Sequence, residues 1–312
     1  MKGVEEVVMM NINKLAFKSI YPLLEDPEVY RVGVIEDRTT IIDCGVEHKG
    51  SILSGKYYSE ASMGGLGEVG FDIKEGVSFL KVEVELPWIA TLCSQLSGIV
   101  SKNMLISGPG RALIQDDSIC KKLCFSEKSE VGVFTVETSY FPKKTFLREL
   151  AKRCSLYPEG LYMLISRPSS ITGTIQILAR VVEAVMYRLY TLNFNVKEVI
   201  SALGEVPMPA VLNDDEMALC ISNSSIIYGG SVHLWVDSDD DDVNRVLKDL
   251  HPSSSKQYGK SFYEIFQESK DICKIDPSIF SPSKIRIDNI KTGSSFEIGE
   301  LRYDLIERWG KS

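Results

Sequence analysis

The chain has 312 residues, of which 44% are hydrophobic and 25% are charged, with 23 glycines and 12 prolines. This composition is ordinary for a globular protein and excludes collagen-like, mucin-like and wholly disordered chains. Lys and Arg total 35 against 43 Asp and Glu, so the net charge is -8. Such an acidic chain is poorly suited to general nucleic-acid binding, which needs a dense basic face. At roughly 150 residues per domain, the length predicts two domains.

The seven cysteines lack the spacing of a disulfide framework, which is typical of free thiols in a reducing compartment. No CxxC pair occurs, and His48, His233 and His251 are far apart, so we expect no metal site. No stretch reaches the ~18 uncharged apolar residues of a membrane span. Glu5 and Glu6 stand where a signal peptide would be apolar. The sequence therefore predicts a cytoplasmic protein with no membrane or nucleic-acid partner.

Hydrophobic periodicity predicts the elements of the first third of the chain. Apolar residues at helical spacing indicate a helix over residues 8–24. The elements that follow are β-like runs at 29–35, 39–44 and 77–85, with a helix over 50–62.

Helix and strand then alternate, which indicates an α+β (mixed α/β) fold. The predicted elements are strand 131–137, helix 142–154, strand 161–166, helix 173–192, strand 228–236 and a hairpin of 285–290 with 295–298. The acidic run 237–242 lacks the Gly and terminal Glu of an EF-hand, so we interpret it as a solvated loop and possible domain boundary.

Gly65, Gly67 and Gly70 match GxGxxG, but the surrounding order is reversed for a dinucleotide site. A helix precedes these glycines and the strand-like Phe71–Ile73 follows, whereas the fingerprint follows a strand and opens a helix. NAD binding is therefore disfavoured. Two interpretations stay open: a tight turn that uses the positive φ of glycine, or a loop whose bare backbone lets a ligand approach.

Two further turns combine glycine with positive charge. Tyr258–Ser261 ends like a phosphate loop, but Ser254 replaces the first Gly of the Walker pattern, so an NTPase is disfavoured. The hydroxyl and amino groups of residues 253–260 could hold a phosphate or carboxylate, or form only a solvated loop. Ser107–Arg111 places a guanidinium behind a Gly-rich backbone, which suits an anionic ligand or an ordinary turn. No GxSxG elbow supports a serine hydrolase.

The predicted helix 173–192 carries the most informative pattern. Its polar stripe recurs at spacings of 4, 3 and 4, and the rest of the helix is too apolar for a solvent-facing position. The stripe therefore indicates a cleft, where Arg180 can keep Glu183 ionised by proximity, or else an interdomain or subunit salt bridge. Its members are Gln176, Arg180, Glu183 and Tyr187.

Taken together, short segments along nearly the whole chain resemble the methenyltetrahydromethanopterin cyclohydrolase family. In chain order they are 42–45 (IDCG), 63–66 (MGGL), 94–95 (SQ), 107–113 (SGPGRAL), the helix of Arg180 and Glu183, 228–232 (YGGSV), 258–260 (YGK) and 275–277 (IDP). The resemblance implies two α/β domains with a pterin-binding cleft between them. It also implies a homotrimer and no metal or separate cofactor. We place the larger domain at 1–125 plus 240–312 and the smaller at 126–239.

The resemblance also implies the reaction and the residues that serve it. The family's substrate carries a methenyl carbon that bridges two nitrogens as a cation, and water converts it to the 5-formyl pterin. Glu183 is then the base that accepts the proton of water, and Arg180 orients it. The predicted substrate-binding residues are Gly64, Gly65, Ser94, Gln95, Ser107, Gly108, Gly110, Arg111, Tyr228, Lys256, Tyr258 and Lys260.

Among these residues, Arg111, Lys256 and Lys260 are the candidates for the acidic tail of the pterin. The alternative function is a non-catalytic pterin-binding paralogue that stores or presents the one-carbon carrier. Retention of both Arg180 and Glu183 favours the enzyme, since a pure binder needs no base at the reacting carbon.

Three positions depart from residues common in the family. Leu86 stands before Pro87 where His is common, and Leu96 follows Gln95 where Lys is common. Glu205 stands where an Arg or a neutral residue is common.

Overall fold

The computed structural model describes residues 10–101 and 104–306. Its strands form two six-stranded sheets, so the protein has an α+β fold with two sheet-containing domains. The strands are β1 (Gly33–Asp37), β2 (Thr39–Asp43), β3 (Gly67–Lys74), β4 (Val77–Glu85), β5 (Ile99–Ser101), β6 (Met104–Ser107), β7 (Gly132–Glu137), β8 (Leu161–Ser166), β9 (Val199–Pro207), β10 (Ser231–Val236), β11 (Lys284–Asn289) and β12 (Ser295–Ile298).

Helices flank both sheets. The α-helices of the described residues are α1 (Ile12–Glu25), α2 (Pro27–Tyr30), α3 (Ile52–Ser62), α4 (Ser118–Lys122), α5 (Lys144–Arg153), α6 (Ile171–Leu178), α7 (Val181–Thr191), α8 (Asp215–Gly229), α9 (Asp240–Leu250), α10 (Phe262–Ser269) and α11 (Tyr303–Ile306). A π-helical segment spans Trp88–Gln95.

The first sheet has the strand order β1-β2-β8-β7-β6-β5, with β2, β8 and β7 parallel. Its central strands are buried on both faces because successive side chains of a strand point in opposite directions. Val133 and Leu164 pack with α1 and α3, whereas Phe134 and Met163 pack with α5. This arrangement explains why the central strands are continuous apolar runs rather than alternating ones.

The second sheet has the order β12-β11-β10-β9-β4-β3 and is antiparallel except for the pair β10 and β11. One face is apolar, and its residues, such as Val82 and Leu234, join α7 and α9 in the largest hydrophobic core. The opposite face carries polar side chains, among them Lys81, Glu83 and His233. The sheet therefore shows the alternation expected when one face packs and the other is open.

Several predicted elements are confirmed. The strand predicted at 161–166 is β8, and the predicted C-terminal hairpin is the antiparallel pair β11 and β12. The first predicted helix is confirmed from residue 12 onward, while its residues 8 and 9 lie outside the described residues.

Three predicted elements need correction. The single helix predicted over 173–192 is two helices, α6 and α7, separated by Ala179 and Arg180. The strand predicted from residue 228 begins at Ser231, because Tyr228 and Gly229 still belong to α8. The acidic run 237–242 was predicted as a loop, but its last three residues, 240–242, form the first turn of α9. Negative charge is favourable at that end of a helix.

The sheets do not divide the chain at residues 125 and 239. β2, from the predicted larger domain, pairs with β8 from the predicted smaller one. In the second sheet, β4 and β9 are likewise partners across that division. Each sheet thus takes strands from both predicted segments.

Across residues 10–101 and 104–306, none of the helices has the length and apolar character needed to cross a bilayer.

Candidate functional site

A cavity of about 400 Å³ lies between the β5–β6 hairpin, the end of β7, the helices α6 to α8 and the segment after α10. Its volume and mainly apolar walls are typical of small-molecule sites. The lining residues are Leu96, Ser97, Val100, Leu105, Glu137, Ile177, Arg180, Glu183, Ala184, Tyr187, Leu219, Asn223, Ile226, Ile227, Ile272, Ile275, Pro277 and Phe280. The few polar groups among them define the chemistry that the cavity can support.

Arg180 and Glu183 meet at one wall of the cavity. Arg180 is the residue before α7, and Glu183 lies in the first turn of that helix, where a carboxylate is favoured by the helix dipole. Nη1 of Arg180 lies 3.9 Å from Oε2 of Glu183. At this distance the two side chains form an ion pair, but the two atoms are too far apart for a direct hydrogen bond.

The guanidinium of Arg180 is fixed by groups other than Glu183. Nη1 donates to the backbone carbonyl of Gln95 at 2.8 Å, and Nη2 donates to Oγ of Ser107 at 3.1 Å. Nε lies 3.4 Å from Oε1 of Gln176, at the long end of hydrogen-bond range. Arg180 is therefore held in place while the Glu183 carboxylate remains available to a ligand.

The pKa of Glu183 is raised because burial penalises its charged form. The positive charges of Arg180 and, to a smaller extent, Arg111 oppose this shift. Among the described residues, the Glu183 side chain accepts no hydrogen bond. A carboxylate with a raised pKa in a cavity is a candidate acid or base.

The predicted residues Ser94, Gln95 and Ser107 support this wall rather than line the cavity. Oγ of Ser94 donates to the carbonyl of Ser62 at 2.6 Å, which anchors the end of the π-helical segment. Nε2 of Gln95 donates to the carbonyl of Ala179 at 3.2 Å, at the break between α6 and α7. The side chain and the backbone of Gln95 thus both hold the segment that carries Arg180.

The predicted glycines lie in close-packed turns. Gly64 and Gly65 both have a φ of +70°, which ends α3 in a conformation that disfavours other residues. The N–H of Gly108 donates to the carbonyl of Ser94 at 2.8 Å, and a Cβ on Gly110 would meet the Phe134 ring at 2.3 Å. Of the three glycines of the GxGxxG match, Gly65 has the positive φ of the turn interpretation, whereas Gly67 and Gly70 lie in β3.

Arg111, a predicted contact of the acidic tail, does not line the cavity and is bonded within the protein. Its side chain is buried, and Nε and Nη2 each donate to the Asp117 carboxylate at 3.0 Å. Nη1 donates to the carbonyls of Leu92 and Leu96 at 3.1 and 2.7 Å. The two bonds of Nη1 hold the π-helical segment against the turn of Arg111, and the two bonds to Asp117 tie that turn to the start of α4.

The predicted residues of the 228–260 region do not line the cavity either. The Tyr228 hydroxyl donates to the backbone carbonyl of Lys260 and accepts from the N–H of Gly259 at 3.2 Å. Nζ of Lys260 pairs with Glu268 at 2.6 Å, so it serves the same local structure. Lys256 is exposed, and the Tyr258 ring packs beside that of Tyr228.

The sequence reasoning missed four polar or aromatic residues of the cavity, Ser97, Glu137, Asn223 and Phe280. Only Glu137 had a usable signal, because a carboxylate at the end of a buried parallel strand lies at the edge where ligands bind. Asn223 lies in α8, a helix that was not predicted.

The three departures from common family residues have different positions. Leu96 lines the cavity and adds apolar surface there. Glu205 lies on the open face of the second sheet and pairs with Lys74. Leu86 is exposed and has a φ of 48° just before the π-helical segment. Of the three, only Leu96 can touch a ligand in the cavity.

No three His, Cys, Asp or Glu side chains come together as a metal site within the part of the chain that the structure describes. Fold and cavity define an α+β protein with a buried carboxylate–guanidinium site. The family model described as "Cyclohydrolase (MCH)" matches residues 11–309. The chain belongs to this family.

Two relatives illustrate the similarity. The methenyltetrahydromethanopterin cyclohydrolase of Methanothermobacter marburgensis is 32% identical over 96% of this chain and 98% of its own length. The protein of the same description from Methanocaldococcus jannaschii is 31% identical over the same shares. The similarity thus extends over both sheets and the cavity between the elements.

Proposed function

We propose that the protein is a methenyltetrahydromethanopterin cyclohydrolase of one-carbon metabolism. It reversibly hydrolyses the cationic methenyl bridge of 5,10-methenyltetrahydromethanopterin, or of a close pterin analogue, to the 5-formyl pterin. Membership of the family and the described activity of the relatives support this substrate class. The observation that carries the mechanism is the Glu183 carboxylate, which faces the cavity with a raised pKa beside Arg180.

The proposed reaction needs a base more than it needs an electrophilic catalyst. The oxygen of water bonds to the methenyl carbon, and Glu183 accepts one proton of that water. The hydroxyl group then loses its remaining proton and forms the formyl C=O as the bond from this carbon to the second nitrogen breaks, and that nitrogen takes up a proton. The net products are the 5-formyl pterin and one proton. Because the reacting carbon already shares a positive charge, we propose that no metal or separate cofactor takes part.

Arg180 acts on the base in two ways. Its charge lowers the pKa of Glu183 against the effect of burial, which keeps the carboxylate able to accept a proton. Its hydrogen bonds to Gln95 and Ser107 hold the guanidinium at a fixed place. The 3.9 Å gap to Glu183 leaves the carboxylate lone pairs for the attacking water.

We also propose that the protein is cytoplasmic and forms a homotrimer, as the family resemblance implies. A solution mass three times the 34.8 kDa of one chain is expected at micromolar concentration. A mass of a single chain at that concentration would contradict the trimer.

The activity is tested with purified protein and methenyltetrahydromethanopterin, by the loss of ultraviolet absorbance as the methenyl bridge opens. Glu183→Gln keeps the side-chain shape but cannot accept the proton, so kcat should fall about 100- to 10,000-fold with binding retained. Glu127→Gln is the control, since Glu127 is a partly buried carboxylate whose pKa is also raised but which caps α1 outside the cavity.

Each alternative outcome has a distinct meaning. Wild-type protein that binds the substrate without turnover would indicate the non-catalytic paralogue. Near wild-type turnover of Glu183→Gln would show that Glu183 is not the base.

A further inference from the structure

A second carboxylate, that of Glu137, lines the same cavity and takes no part in the water attack described above. Glu137 is the last residue of β7, so it reaches the cavity from the first sheet, whereas Glu183 reaches it from α7. Oε2 of Glu137 accepts a hydrogen bond of 2.7 Å from Nε2 of Gln176. In the described parts of the chain, Oε1 of Glu137 receives no such bond.

The unpaired oxygen of this partly buried carboxylate borders the cavity, where a ligand can reach it. Burial raises the pKa of Glu137, and Arg180 and Gln176 offset the effect only in part. A ligand that donates hydrogen bonds into the cavity would complete the pairing.

We propose that Glu137 recognises the pterin ring by accepting hydrogen bonds from its N3–H and its 2-amino group. The inference rests on the proposed function. These two groups form one edge of the ring, with parallel N–H donors that resemble a guanidinium, and a carboxylate matches such a pair with its two oxygens. Oε2 can accept a second bond beside that of Gln176, while Oε1 is open to the ligand.

The other polar groups of the cavity are less suited to this edge. Arg180 can only donate hydrogen bonds, and Glu183 is placed at the reacting carbon. Nδ2 of Asn223 donates to the carbonyl of Leu219 at 2.9 Å, which leaves one amide oxygen as a single acceptor. Of the side chains known to line the cavity, Glu137 alone has two carboxylate oxygens that can still accept hydrogen bonds from a ligand away from the reacting carbon.

The surface beside Glu137 suits a flat ring. Leu105 of β6 is the residue directly opposite Glu137 in the β6–β7 ladder, and it too lines the cavity. Leu96 and Val100 extend the same apolar wall. A ring held at its donor edge by Glu137 would therefore lie against apolar side chains, as expected for a small-molecule site.

The test compares two small ligands, 6-methyltetrahydropterin and its 2-deamino counterpart, by calorimetric titration of the full-length protein. Glu137→Gln replaces one acceptor oxygen by a donor, so it should weaken binding of 6-methyltetrahydropterin about tenfold to 100-fold. Binding of the 2-deamino ligand, already weak in wild-type protein, should change much less. For methenyltetrahydromethanopterin, KM should rise while kcat and the acidic limb of the pH profile stay the same. Glu127→Gln should resemble wild-type protein throughout.

Three results would overturn the assignment. The first is an unchanged affinity of Glu137→Gln for 6-methyltetrahydropterin, and the second is an equal loss of affinity for the two ligands. The third is a fall in kcat with a shifted pH profile, which would make Glu137 a positioning residue for Arg180. If Glu137→Gln does not fold, the wild-type protein decides, because equal affinity for the two ligands also overturns the proposal. Absence of wild-type turnover would contradict the cyclohydrolase activity instead, and the two titrations would still report on Glu137.

Discussion

The Glu183 side chain is subject to two opposing effects on its pKa. Burial raises the pKa and is the larger effect, while the charge of Arg180 lowers it. A base must be deprotonated to act, so activity falls as the pH decreases through this pKa. In the proposed mechanism, Arg180 therefore sets how far into the acidic range the protein can work.

Replacing Arg180 by Gln should raise the pKa of Glu183 further, because the offsetting charge is lost while burial remains. The acidic limb of the kcat/KM profile should then shift to higher pH. Arg188→Gln is the control, since Arg188 lies on the same helix and bonds the carbonyl of Asp249 outside the cavity. Rates measured over a pH series test this prediction.

The double variant of Arg180→Gln with Glu183→Gln adds a second check. Its loss should be much smaller than the product of the single losses, because both residues act on one proton transfer. An unshifted acidic limb together with multiplicative losses would show that Arg180 does not act through Glu183.

Arg111 and Asp117 form a buried ion pair that we expect to stabilise the folded protein. Burial alone would raise the pKa of Asp117, but Arg111 and the N–H of Cys120 outweigh burial and lower it. Arg111→Met leaves this carboxylate without its partner, so the free energy of unfolding should fall by about 3–5 kcal/mol. Urea titration measures the loss, and KM of the folded variant should stay unchanged.

Arg111→Met with Asp117→Leu is the matched comparison. Removing both charges abolishes the unpaired carboxylate, so much of the stability should return. If Arg111→Met instead has wild-type stability and a raised KM, the result would support the predicted contact of Arg111 with the pterin tail.

At the scale of elements, the sequence predicts what local patterns determine and misses what distant contacts determine. Apolar runs and turns were sufficient to predict β7, β8, α5 and the terminal hairpin. The break at Ala179 was missed because the side chain of Gln95, 84 residues away, bonds its carbonyl. The helix α8 was missed because the run 222–225 (SNSS) resembles a loop, yet it is buried.

The sequence likewise predicts only part of the candidate site. A stripe of polar residues at helical spacing identified Arg180 and Glu183, which share the cavity wall. Glycine and lysine motifs did not reveal that Arg111 is buried against Asp117 or that Lys260 pairs with Glu268, since both partners are set by tertiary packing.

The position of α7 depends on a glycine in the neighbouring strand β9. A Cβ on Gly204 would lie 2.5 Å from Cγ1 of Val181 and 3.0 Å from Cγ2 of Val182, at the start of the helix that carries Glu183. Gly204→Ala should therefore displace the first turn of α7, cost about 1–3 kcal/mol of stability and lower kcat. Both are measured on one purified sample.

Gly70→Ala provides the control for this substitution. Gly70 lies in β3 of the same sheet, and a Cβ there would meet nothing within 4 Å. Equal effects of the two alanines would indicate a general strand effect and contradict a specific contact with α7.

At the scale of the whole molecule, Asp215 joins the first sheet to a helix of the cavity wall. Asp215 begins α8, and its carboxylate accepts two bonds of 3.0 Å from Arg167, which follows β8. Ser169 donates to it through Oγ at 2.6 Å and through its N–H at 3.1 Å, and Ser139, after β7, donates at 2.7 Å. Two strands of the first sheet are thereby tied to α8, which also contributes Asn223 to the cavity.

This network makes stability depend on pH in a defined range. Burial alone would raise the pKa of Asp215, but the donors of Arg167, Ser139 and Ser169 outweigh it and bring the pKa to about 2, from 3.8. A lowered pKa stabilises the folded state above the unfolded value, and this contribution is lost as the pH falls through the folded value. The shift corresponds to about 2 kcal/mol.

Asp215→Asn should therefore lower the free energy of unfolding by about 2 kcal/mol at neutral pH, and the difference from wild-type protein should shrink between about pH 4 and pH 2. The raised pKa of Glu183 acts in the opposite direction in both proteins and cancels in the difference. The charge of Asp215 is the smallest of the effects on the pKa of Glu137 and raises it, so Asp215→Asn lowers that pKa and offsets a small part of the loss. Urea titrations over a pH series at one protein concentration measure it. Asp72→Asn, which removes an exposed pair with Lys81, should leave stability near that of wild-type protein. A difference that stays constant down to pH 2 would mean that the Asp215 network contributes through shape rather than charge.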